Sequence, residues 1–222
     1  MRFTSTLLGG AKPLIAAALL AGSLGAANAQ SDTGEAADSG MADAAAAVQA
    51  MTDHLAGLSS FEFDAATLFD EPALQGTPSK RAANLHVAVS RPNRMFLQAQ
   101  FDDGSDRKLW FDGETVTLAN VKAQTYVELP FDGDVDALVE AIQARLGLTM
   151  PVLMFAQSKP FDQLGDNVLD ARLVGERAIG DDVTSLVDIE TIDTHSQLWI
   201  SDGAEPLPER LVEDIALALD TL

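Results

Sequence analysis

The chain has 222 residues, 47% of them hydrophobic, with 14 basic against 34 acidic side chains, a net charge of −20 and no cysteine. That length suits one domain of moderate size, and the apolar fraction excludes intrinsic disorder. Absence of cysteine excludes disulfides, thiolate zinc sites, iron–sulfur clusters and cysteine nucleophiles. The acid excess repels phosphate backbones and anionic membrane faces, so neither nucleic acid nor such a surface is an expected partner.

Residues 1–29 read as a signal peptide. Arg2 and Lys12 make a positive start, Leu14 to Ala21 form a short apolar core, and Ala27-Asn28-Ala29 offers a small-x-small cleavage pattern. The core is too short to span a bilayer and no later stretch is long enough. Cleavage after Ala29, export to the periplasm and a chain not embedded in the membrane are the expectations. Residues 30–40 are polar and small and read as a flexible lead-in to one domain over residues 41–222.

From Met41 the pattern turns helical. Met41, Val48 and Leu55 repeat every seven residues, as do Ala44, Met51 and Leu58, with Ser39 or Asp38 as cap and Gly57 as stop. Alternation follows: Phe61, Phe63 and Ala65, then Leu85, Val87 and Val89 with Arg91 on the same parity, then Met95, Leu97 and Ala99. Asp112-Gly113 reads as a hairpin turn with both residues at positive φ. Val135, Leu138, Ile142 and Leu146 mark a helix capped by Asp132 or Asp134, and Pro151 opens a short second one. Strands resume over Val168–Ala178, Val183–Ile189 and Gln197–Ser201, while Val212–Leu222 fits helix or strand equally. The order predicts an α+β fold: a strongly curved antiparallel sheet, an unclosed half-barrel, with lid helices over its concave face.

Few residues suit catalysis. His54, His86 and His195 are isolated from one another in sequence, and no nucleophile elbow, zinc helix or phosphate loop is present. Asp132-Gly133-Asp134-Val135-Asp136 starts like a calcium loop, but Ala137 stands where glycine is needed and Gln143 where the bidentate glutamate is needed. No catalytic residue, metal site or cofactor is expected. A carboxylate-based hydrolase and a cell-envelope interaction module without a lipid ligand are the rival classes.

Several segments, in order, resemble the periplasmic lipoprotein carriers of the LolA/LolB superfamily: Leu58-Ser59-Ser60-Phe61, Ser90-Arg91-Pro92-Asn93, Leu109 to Val116 around Asp112-Gly113, and Met150-Pro151-Val152-Leu153-Met154. The closing Leu198-Trp199-Ile200-Ser201-Asp202-Gly203 with Pro206-Leu207-Pro208 is more similar to a related group of predicted periplasmic proteins of unknown function. The resemblance implies a non-catalytic, monomeric carrier that holds an acyl chain of a lipid or lipoprotein and exchanges it with inner- or outer-membrane envelope proteins. It implies a cavity lined by Phe61, Phe63, Leu85, Val87, Val89, Met95, Leu97, Leu138, Ile142, Met150, Met154 and Phe155. It gives Arg91 the role of a lid gate bonded to the carbonyl end of a lid helix. In a departure from that family's pattern the chain is expected to end early, without a final strand pair, which would leave one sheet edge exposed.

Overall fold

The computed structural model describes residues 2–4, 33–71, 79–146, 151–161, 167–192 and 194–214. Its elements run β1 (Arg2–Thr4), α1 (Thr33–Gly57), β2 (Ser60–Glu71), β3 (Ser79–Ser90), β4 (Arg94–Phe101), β5 (Asp106–Phe111), β6 (Thr115–Asn120) and β7 (Thr125–Pro130). Then come α2 (Val135–Leu146), a 3₁₀ segment (Pro151–Ala156), β8 (Val168–Ile179), β9 (Asp182–Thr191), β10 (His195–Ser201) and β11 (Pro208–Asp214).

All strand pairs are antiparallel, and the expected open sheet is divided into two. Seven strands follow in the order β1 to β7, and four in the order β11-β10-β9-β8. The division falls where α2 and the 3₁₀ segment interrupt the strands, so the half-barrel is not closed.

Period-two alternation sets the inner face. Phe63, Val87, Leu97 and Leu109 lie opposite one another across β2 to β5, and Phe61, Val89, Met95 and Phe111 form the next row. All eight are buried and belong to one hydrophobic cluster. Val187, Ile189, Leu198 and Ile200 bring the smaller sheet into the same cluster. Met51 and Leu55 of α1 join it as well, because α1 packs on β8, β9 and β10. Val135, Leu138, Val139 and Ile142 of α2, with Leu153 and Phe155 of the 3₁₀ segment, belong to the same cluster. These two elements are the lid.

Four local details differ from or add to these expectations. The helix begins at Thr33 instead of Met41, so part of the polar lead-in is helical and Ser39 lies inside α1. Arg2–Thr4 pairs with β2, opposite Asp64, Phe63 and Glu62, although the segment reads as leader. In the Asp112-Gly113 turn only Gly113 takes positive φ (106°). Asp112 instead accepts the backbone N–H groups of Glu114 and Thr115 at 3.0 and 2.8 Å, which tightens a longer turn and holds its carboxyl below the usual range. The ambiguous C-terminal stretch is strand through Asp214, and the rest lies outside the described residues.

Candidate functional site

The lid meets the sheet at Arg91. β3 ends at Ser90, so Arg91 is the first residue of a turn and not, as expected, the last of a strand. Its guanidinium nevertheless turns inward, with Cζ 5.3 Å from the centre of the Phe61 ring. Nε donates to the Leu58 carbonyl at 3.1 Å, and Nη2 donates to the Gln157 carbonyl at 2.8 Å. Gln157 immediately follows the 3₁₀ segment, while Leu58 immediately follows α1. One side chain therefore ties the sheet to the ends of two helical elements, where unpaired carbonyls favour a cation.

A carboxylate completes the arrangement. Asp136, in the first turn of α2, lies 3.9 Å from Nη1 of Arg91. It also accepts the Ser158 backbone N–H at 2.8 Å and the Ser158 hydroxyl. The Arg91 side chain is only 14% exposed. Burial lowers the guanidinium pKa, and the nearby Asp136 charge works against that.

The residues after Arg91 hold the other end of the lid. The Pro92 carbonyl accepts the Val135 N–H at 2.9 Å, which fixes the start of α2. Asp134 caps the same helix through a 2.9 Å bond from the Ala137 N–H. In that aspartate run, Asp134 is thus the capping residue. A Cβ on Gly113 would come within 2.4 Å of Asn93 Nδ2, so the Asn93 side chain lies directly against the β5–β6 turn. The Phe131 N–H then donates to the Glu114 carbonyl at 2.9 Å, leading the chain from β7 past that turn toward α2. Arg91, Pro92 and Asn93 thus serve three separate contacts around one corner.

The proposed lining residues Phe61, Phe63, Leu85, Val87, Val89, Met95, Leu97, Leu138, Ile142 and Phe155 are all buried in the common cluster. Met154 is partly buried against it, and Met150 lies outside the described residues. They pack on one another. A shallow hollow of about 320 Å³ opens at the ends of β2 to β5, bordered by Phe61, Val89, Met95 and Phe111 together with Glu62 and Arg94.

The histidines stay apart. His86 Nδ1 is 2.9 Å from Asp64 on the outer face of the large sheet, and His195 Nε2 is 2.5 Å from Asp188 on the small sheet. Burial would raise the Asp188 pKa, but the bond and charge from His195, with a further bond from Arg172, bring it below the usual range. Asp136, Gln157 and Ser158 were not singled out by sequence reasoning. Asp136 was accounted for by the capping run, and a backbone acceptor such as Gln157 leaves no side-chain signal.

The chain matches, over residues 44–215, the family described as "Predicted periplasmic protein (DUF2092)". It belongs to that family. Membership agrees with the periplasmic group suggested by the closing segment and assigns the chain to the periplasm. A search of curated proteins finds no match. Among solved structures, the chain is similar to the Mycobacterium tuberculosis lipoprotein LppX, with 14% identity, a TM-score of 0.44 and coverage of 78% of this chain and 94% of that one. It is also similar to a DUF1329 family protein from Desulfovibrio piger, with 13% identity, a TM-score of 0.31 and coverage of 77% and 72%. Among the described residues no helix is long and apolar enough to cross a membrane.

Proposed function

We infer that the protein is a non-catalytic periplasmic carrier or binding protein for an acyl chain of a lipid or lipoprotein, and that this structure is its closed state. On this reading residues 1–29 are removed on export, and the chain acts as a monomer serving inner- or outer-membrane envelope proteins. The observation that carries it is Arg91. A guanidinium costs much to bury and contributes little here as a salt bridge, because Asp136 stands 3.9 Å away. Its close bonds go to two carbonyls on elements that pack over an apolar wall. Such bonds contribute about 1.5–3 kcal/mol each when the donor is charged. That suits a closure that yields to a ligand.

The apolar wall supplies the opposing energy. Burial is worth ~0.8 kcal/mol per methylene, so a sixteen-carbon chain offers on the order of 12 kcal/mol before association costs of ~4–15 kcal/mol. A net affinity in the middle range permits uptake and release. The inner side chains pack together when the lid is shut, so an acyl chain must lift α2 and the 3₁₀ segment from the sheet, which breaks the bond from Arg91 to Gln157.

Gentle purification followed by organic extraction and mass spectrometry is expected to recover bound lipid. Arg91→Leu is expected to keep the fold, lose about 2–3 kcal/mol of stability and release a fluorescent fatty acid faster. Unchanged release kinetics would remove Arg91 from the mechanism. The exposed edge strand β7 favours one alternative, a cell-envelope interaction module recruiting a partner strand. That alternative takes over if no lipid is recovered and no fatty acid binds.

A further inference from the structure

The apolar rows of the inner wall do not end inside the protein. The row through Phe111 continues to Val116 and Leu129, and the row through Leu109 continues to Leu118 and Val127. Val116 is buried and Leu118 partly so, whereas Leu129 and Val127 on β7 are 44% and 46% exposed. An uninterrupted apolar track therefore leaves the core and reaches the surface at the edge of the sheet. From β2 to β7 it crosses five strand intervals, roughly 24 Å of wall.

The adjoining row changes character at the same place. It runs Ala65, Leu85 and Ala99, all buried, and then meets Arg107, Asn120 and Thr125. Arg107 thus holds an exposed inner-face position on β5, two strands in from β7 and one row from Leu109 and Leu118, and it makes no salt bridge among the described residues. Lys122 stands in the turn joining β6 to β7, next to the same row. On a chain with 34 acidic and 14 basic side chains, two cations beside an open apolar strip form a local exception.

We propose that this edge binds an amphiphile with an anionic headgroup, its tail on Leu118, Val127 and Leu129 and its carboxylate or phosphate at Arg107. The inference rests on the acyl-binding reading and adds the headgroup class and the side from which the tail reaches the wall. No polar side chain interrupts the two apolar rows, so a hydrocarbon tail fits them and a polar chain does not. The bordering guanidinium presents several donors suited to either acidic headgroup. The overall negative charge slows capture of any anion, so selectivity must come from this local contact.

The test titrates the full chain with a dansyl-labelled long-chain fatty acid and with its methyl ester, in wild type, Arg107→Gln and Arg107→Lys. The acid is expected to bind about tenfold tighter than the ester in wild type, to lose that advantage in Arg107→Gln and to regain most of it in Arg107→Lys. Val127→Asn combined with Leu129→Asn should weaken both probes alike. Competition by dodecanoate against dodecyl phosphate then identifies which acid the headgroup position prefers, and displacement by either supports the proposal. Equal binding of acid and ester in wild type, or a ratio untouched by Arg107→Gln, overturns it while leaving acyl binding in place. Failure of both probes to bind overturns the acyl-binding reading itself.

Discussion

At the residue scale the corner around Arg91 is densely shared. Asn93 leaves no room for a side chain on Gly113, whose φ of 106° is also strained for any other residue. Gly113→Ala is expected to cost about 1–3 kcal/mol in chemical denaturation. If Asn93 is what fills the space, Asn93→Ala should recover part of that loss, and absence of recovery would leave backbone strain as the cause. Much of this corner was legible in the sequence, because Arg91-Pro92-Asn93 and Asp112-Gly113 both stand out as turn signals. Their meeting in space was not, since it depends on the register of β3, β4 and β5 and on no local preference. The inward turn of Arg91 was expected from strand parity, yet it arises in a turn, where parity has no meaning.

At the element scale α2 depends on its first turn. Asp134 caps it, the Pro92 carbonyl receives the Val135 N–H, and Asp136 reaches Ser158 just beyond the 3₁₀ segment. Asp134→Ala is expected to cost about 1 kcal/mol and to raise amide exchange across residues 135–144 more than across β3. Equal acceleration in both elements would mean that the lid does not loosen independently. Periodicity alone located α2, because Val135, Leu138 and Ile142 are all buried. It misjudged the start of α1, where small polar residues such as Ser39 and Gly40 argue against a helix but do not forbid its continuation. It also missed the separation into two sheets, since alternation marks each strand but never its partner.

For the whole molecule, one hydrophobic cluster joins both sheets, α1 and the lid. Neither sheet can cover its inner face alone, so the two should unfold together. Each carries one indole on its outer side. Trp110 packs on Phe96 with ring centres 5.6 Å apart, and Trp199 lies under the Arg210 guanidinium at 4.9 Å. Single-tryptophan variants, Trp110→Phe and Trp199→Phe, are expected to report the same denaturant midpoint. Separate midpoints would show that the sheets are distinct folding units.

The outer edge of β7, which carries no further strand among the described residues, has a consequence beyond the proposed ligand binding. Such an edge, with apolar Val127 and Leu129, invites docking of one copy on another, opposed within the strand by Glu128 and by Pro130 at its end. The excess of 34 acidic over 14 basic side chains is expected to oppose that approach, because repulsion between copies acts before two edges can align. On the proposed reading, the charge that separates copies and the edge left open to a ligand are one property, to which Glu128 on the strand itself contributes.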